Sequence, residues 1–200
     1  MGEKSEQKRL YILEKAAGVF AAKGFRAVSM KDIVDACEIS RGGLYLYYSG
    51  TEEIFRDVLK LRLEAEDEAS VSGVGADTAM ADLLLLFLKE QKKEILRKKN
   101  SLTVAAYEYY FAHPTGRGAG QREENMLKQQ FDTALKVLRK ILEEGVARGE
   151  FYCEDCRSTA TSMMYALEGM KICARTFGLT EARLDKELLY LLEGIVLEDA

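Results

Sequence analysis

Arg41 and Tyr45 lie four residues apart in the stretch SMKDIVDACEISRGGLYLYY, which runs from Ser29 to Tyr48. At that spacing two side chains share one face of a helix. A guanidinium matches the two acceptors on the major-groove edge of guanine, and a phenol can reach a base or a phosphate. Gly43 between them allows close approach to a neighbouring backbone, and Tyr47 can donate to a phosphate. Ser29, Lys31 and Ser40 suit phosphates, because helix N-termini carry free N–H groups and Lys31 adds a positive charge to such a first turn. Lys8 and Arg9 are further candidates for the DNA backbone. Leu44 and Tyr48, again four apart, suit a core role.

Apolar spacing and capping residues predict the elements that must hold these groups. Leu10, Leu13, Ala17 and Phe20 recur at helical intervals, so a first helix is expected from about Ser5 to Lys23. Gly24 ends it as a left-handed cap, and Phe25 folds back as an apolar plug. Ser29 caps a second helix, with Asp32 three residues on to complete a capping box. Cys37-Glu38-Ile39 makes the turn, and Ser40 caps a third helix running through Tyr47. Two short helices joined by a tight turn, the second polar at its start and aromatic at its end, form the pattern of a helix-turn-helix. Gly42 and Gly43 each cost up to about 1 kcal/mol in a helix relative to alanine. That is tolerable where a side chain would strike DNA or the second helix.

A fourth helix is expected from Thr51 to Ala69, capped by Ser49 or Thr51 and led by Glu52 and Glu53. SVSGVGAD, Ser70 to Asp77, is a breaker segment and the expected domain boundary. Five more helices are expected at about 77–98, 101–112, 121–147, 154–177 and 181–198. The joint from His113 to Gln121, with three glycines and the only proline, reads as a surface loop. The expected fold is therefore all-α, with about nine helices. Residues 1–50 are expected to form the DNA-binding domain and 51–200 a sensing domain, linked by the helix at 51–69.

Composition agrees with such a body. The chain has 200 residues, 48% hydrophobic and 31% charged, with one proline and no tryptophan. A chain of this kind favours helices over a sandwich or barrel. The net charge of -4 argues against a protein that coats nucleic acid without sequence preference. Residues 1–62 hold 11 Lys/Arg against 9 Asp/Glu, and the remainder 18 against 24. A site-specific binder needs only a local cluster of phosphate contacts. Four cysteines make no secretory disulfide scaffold, no signal peptide opens the chain, and the apolar run Leu83–Leu88 is far too short to span a bilayer. The cytoplasm is the expected compartment. Cys153 and Cys156 form a single CxxC, which cannot complete a tetrahedral zinc site. No metal, cofactor or catalytic residue is expected, since the glycine-rich, Walker, GxSxG and HExxH signatures are absent.

Ala16, Ala17, Phe20, Gly24-Phe25, Ser29, Asp32-Ile33, Ile39-Ser40, Gly42, Leu44-Tyr45, Tyr47-Tyr48 and Glu52 together resemble the TetR family of bacterial transcriptional repressors. The resemblance covers the first quarter by motif and the remainder by length and helix layout. It implies a homodimer in which the first three helices bind a palindromic operator and helices eight and nine form the interface. It also implies a small-molecule effector that releases the operator. The chain departs from the family pattern at Glu38, where glycine is common, at Gly50-Thr51, where a polar residue and lysine are usual, and at Tyr47, where histidine is frequent. A glutamate held at positive φ costs about 1–2 kcal/mol.

By family position, Phe87, Tyr107, Tyr110, Met163, Leu167 and Met170 are the candidates for the effector pocket. Methionine fills irregular space and tyrosine offers a hydroxyl, which suits a hydrophobic or aromatic molecule. Glu108 and Glu168 could face a cationic one, but a buried carboxylate needs a partner. Ala160, Met164, Leu188, Leu192 and Ile195 have the apolar spacing for the dimer interface.

Overall fold

Nine helices and one short strand pair make up the described residues of the computed structural model, namely 3–69, 78–97, 101–113, 125–193 and 195–197. The helices are α1 (Glu3–Lys23), α2 (Met30–Cys37), α3 (Arg41–Tyr45), α4 (Thr51–Ala69), α5 (Met80–Leu96), α6 (Thr103–Ala112), α7 (Met126–Ala147), α8 (Cys156–Thr176) and α9 (Glu181–Tyr190). The breaker segment at 70–77 and most of the loop after His113 lie outside the described residues.

Packing divides the chain into two units, residues 1–72 with 98–127, and residues 73–97 with 128–200. The expected functional division falls at residue 50, and the expected break between domains at 70–77. In packing terms α4 and α6 belong with the helix-turn-helix. The reason is aromatic. Phe20 of α1 and Phe55 of α4 meet at 4.6 Å between ring centres, and Phe25 bridges Phe55 and Tyr109 of α6 at 5.1 and 5.0 Å. Phe20, Phe55 and Tyr109 are buried, along with Ile12, Ile33, Leu44 and Ile54. Each such side chain stabilises the unit by roughly 1.5–3 kcal/mol. Phe25 is the plug that the sequence suggested. Gly24 precedes it at φ +79°, a conformation that favours glycine, and a Cβ there would stand 2.7 Å from the Glu108 carboxylate, which would have to shift.

The second unit is built on α5, α7, α8 and α9. Leu84, Leu88 and Ile95 of α5 pack in one cluster with Leu138 and Leu142 of α7, Met163 and Leu167 of α8, and Leu184 of α9. Neighbouring elements satisfy both ends of α5. Glu150 accepts from the Ala81 N–H at 3.0 Å, and the Arg175 guanidinium donates to the carbonyls of Ile95 and Glu94 at 3.0 and 3.2 Å. Lys92 ties α5 to α9 through Glu181 at 2.8 Å and Asp185 at 2.6 Å.

The helix expected over 181–198 stops at Tyr190. Tight turns follow, with Leu192 N–H on the Leu189 carbonyl and Ile195 N–H on that of Leu192, both at 2.9 Å. Val196–Leu197 then forms β2, antiparallel to β1 (Phe151–Tyr152), with Phe151 opposite Leu197 and Tyr152 opposite Val196. Pairing with β1 gives these backbone groups partners that a fraying helix end would lack. The Phe151 ring lies against Gly145 of α7, where a Cβ would stand 2.0 Å from it.

Candidate nucleic-acid interface

Three local devices build the head. The first is the capping box of α2. Ser29 is extended (φ −108°, ψ 162°), and its hydroxyl oxygen accepts from the Asp32 N–H at 3.3 Å. The Asp32 carboxylate accepts from the Ser29 N–H and hydroxyl at 2.8 and 2.7 Å and pairs with Lys23. Lys23 first, and Ser29 second, hold the Asp32 carboxyl well below the usual carboxylate range.

The second device is the turn. Glu38 adopts φ 51°, ψ 41°, the only non-glycine residue at positive φ among the described residues. The turn keeps the left-handed geometry and glutamate bears its cost. Cys37 beside it is buried, and burial pushes its thiol up. Ser40 then starts α3 by accepting from the Gly43 N–H at 3.1 Å. A Cβ on Gly43 would touch only that hydroxyl, and one on Gly42 nothing within 4 Å. The second helix is therefore not the neighbour that the two glycines accommodate.

The third device is a clamp that the sequence reading missed. Arg9 of α1 donates to the Tyr48 hydroxyl at 3.0 Å and pairs with Asp57 of α4, and Tyr48 donates to Asp57 at 3.1 Å. Asp57 first, then Tyr48, hold the Arg9 guanidinium above its ordinary value. Burial pushes the Tyr48 phenol up to about 12. Arg9 thus ties Tyr48, at the end of the recognition segment, to α1 and α4. Lys8 stands over the Tyr11 ring, 5.1 Å from its centre.

These devices leave one face of α3 open. Arg41 is exposed, with its guanidinium 5.7 Å from the centre of the Tyr45 ring, and Tyr45 is half-exposed. Leu44 and Tyr48 are buried on the opposite side, as their spacing suggested. Tyr47 is partly buried against the core of the head. Lys31 is exposed and makes no ion pair among the described residues. At the start of α4, Glu53 reaches back to accept from the N–H and hydroxyl of Ser49, both at 2.8 Å.

The residues read as pocket lining divide between the units. Tyr107 and Tyr110 lie on α6 in the first unit, where the Tyr110 hydroxyl accepts from the Met126 N–H at 2.9 Å. Phe87, Met163, Leu167 and Met170 belong to the cluster of the second. Glu108 accepts from the Arg26 N–H at 3.0 Å, and Glu168 pairs with Lys171. The four thiols are free. Cys153 meets the Thr159 hydroxyl at 3.4 Å, and burial pushes Cys156 up to about 11.

The residues read as dimer contacts turn inward. Ala160, Met164, Leu188 and Ile195 are buried within the protomer, and Leu192 packs against the same cluster. On α8 the exposed stripe is instead Ser158, Ser162, Tyr165, Gly169, Ile172 and Thr176, at intervals of three and four residues. Spacing alone could not separate two uncharged faces on one helix.

Two family models match the chain. One, for bacterial regulatory proteins of the tetR family, covers residues 12–58, and the other, a tetracyclin repressor-like C-terminal domain, covers 83–185. An uncharacterized HTH-type transcriptional regulator of Bacillus subtilis, YfiR, is 29% identical over 151 residues, which is 74% of this chain and 70% of that protein. The HTH-type transcriptional repressor NicS of Pseudomonas putida is 24% identical over 175 residues, 82% and 76% of the two chains. The crystal structure of a putative transcriptional regulator from Saccharomonospora viridis in complex with choline superposes with a TM-score of 0.78. It is 18% identical and covers 97% of this chain and all of that one. With the helix-turn-helix and the helical body both matched, the chain belongs to the tetR family of bacterial regulatory proteins, which are DNA-binding transcriptional regulators rather than enzymes.

Proposed function

We propose that this regulator is a repressor, binding a palindromic operator as a homodimer and leaving it when a small apolar or aromatic effector binds. The observation that carries the reading is the open Arg41–Tyr45 face, held by three capped and clamped elements, in a chain whose second half matches a repressor's C-terminal domain. Arg41 and Tyr45 read bases or adjacent phosphates, while Lys31, Tyr47 and the capped starts at Ser29 and Ser40 meet the DNA backbone. Gly43, with no side chain, lets the start of α3 approach the DNA backbone closely. Two-fold symmetry of the protein imposes two-fold symmetry on the DNA. The uncharged exposed stripe of α8, with Leu189 and Tyr190 on α9, supports a homodimer, because a solvated helix face is normally charged. The site of action is then the cytoplasm, and no helix among the described residues is long and apolar enough to cross a membrane.

Selection from random DNA followed by footprinting tests the first half. Arg41→Ala should keep the fold and weaken the selected site by about tenfold to a hundredfold, the range for a lost bidentate base contact. Protection independent of sequence would overturn the reading. A thermal-shift screen followed by operator release tests the second half. The effector must bind the released form better than the operator-bound form. The choline complex of the Saccharomonospora viridis regulator favours adding quaternary ammonium compounds to that screen. Here tyrosine rings would receive such a cation, since Glu108 and Glu168 already have partners.

A further inference from the structure

Leu46 is 85% exposed, more than any other large hydrophobic residue among those described. It continues the geometry of α3 (φ −68°, ψ −23°), and its N–H bonds the Gly42 carbonyl at 3.2 Å. Helical side chains lean toward the N-terminus, over the residues three and four positions earlier. For Leu46 those residues are Gly43 and Gly42, and neither has a side chain to cover it. The outward face of the recognition segment is thus Arg41, Gly42, Tyr45 and Leu46. A lone exposed leucine means little on an ordinary surface. On a face that enters the major groove it strips water from base-edge donors and acceptors unless an apolar group meets it. The thymine C5-methyl is the apolar group that base pairs present there.

We infer that Leu46 is a specificity-determining residue that packs on the thymine methyl at one position of each operator half-site. This rests on the DNA-reading role of α3 proposed above. Gly42 leaves this face bare, since even a Cβ there would meet no other atom of the head within 4 Å. Arg41 and Tyr45 supply polar readout, and Leu46 adds a position read by shape.

The test begins with the site that the full-length wild-type protein selects from random DNA. Each thymine is then replaced in turn by deoxyuridine, which removes only the methyl group. One thymine per half-site should weaken wild-type binding about fourfold, the worth of one buried methyl. Leu46→Ala should bind the thymine and uracil versions of that position equally while keeping its other base preferences. Leu46→Gln should shift preference at that position toward adenine, which glutamine can grip through two hydrogen bonds. Equal weakening of Leu46→Ala on every sequence, or indifference of the wild type to every demethylation, would overturn the assignment and leave the role of α3 standing. A wild-type protein that selects no sequence would overturn both. Leu46 touches no core cluster, and circular dichroism of the variants checks that folding is intact.

Discussion

Glu38 shows how a single residue can work against its surroundings. The turn between α2 and α3 needs a left-handed residue, and glutamate occupies it at φ 51°. Glu38→Gly removes a steric cost of about 1–2 kcal/mol. Glycine's greater freedom in the unfolded chain takes back about 0.5–1 kcal/mol. The expected net result is a gain of about 0.5–1 kcal/mol in urea unfolding, with the urea sensitivity unchanged. A loss of stability would mean that the Glu38 side chain makes a compensating interaction. Lys31 gives the complementary prediction for binding. As a phosphate contact it carries no sequence information. Lys31→Ala should weaken all DNA sites alike and reduce the slope of log affinity against log salt by about 1 per protomer. A change of base preference would contradict the assignment.

The capping box of α2 and the Arg9–Tyr48–Asp57 clamp act on whole helices. Because the folded-state carboxyl of Asp32 lies below its unfolded value, it stabilises the head above about pH 4. That contribution is lost as the pH falls through the lowered range, where the folded state must take up the proton. Asp32→Asn should therefore be less stable than wild type at neutral pH, and the difference should shrink on acidification. An unchanged difference down to the acid limit of the native state would show that charge has no part in the box. Tyr48→Phe keeps the ring in the core and removes the hydroxyl shared by Arg9 and Asp57. It should cost about 1 kcal/mol. It should also weaken operator binding beyond what the lost stability explains, because the clamp sets the angle of α3 against α1. Operator affinity equal to wild type would leave the clamp a purely stabilising role.

At the scale of the molecule, the homodimer is the proposal most open to direct attack. Ile172→Glu with Leu189→Glu places two charges on the exposed apolar positions of α8 and α9 while leaving the buried cluster intact. The double variant should elute as a folded monomer at low micromolar concentration and lose most operator affinity, since one half-site forfeits the second set of contacts. A dimer undisturbed by both charges would place the interface elsewhere. The reverse experiment uses Met164, which is 1% exposed. Met164→Ala should destabilise the protomer by about 2–5 kcal/mol through the cavity that it leaves.

Much of the head was determined by the sequence itself, because its signals are local. Ser29 with Asp32, Ser40 with Gly43, Gly24 before Phe25, and the spacing of Leu44 and Tyr48 each act within a few residues of chain, and each adopts the geometry that its chemistry requires. The all-α class and most helix positions follow from the same periodicity. Tertiary structure decided what depends on distant partners. Arg9 is a clamp because Tyr48 and Asp57, 39 and 48 residues away, converge on it. Glu108 engages the backbone of Arg26 across 82 residues. The last helix ends at Tyr190 because β2 finds β1. Ala160 and Met164 turned inward while Tyr165 and Ile172 stayed outside, because packing chooses between two uncharged faces, each with apolar residues at helical spacing.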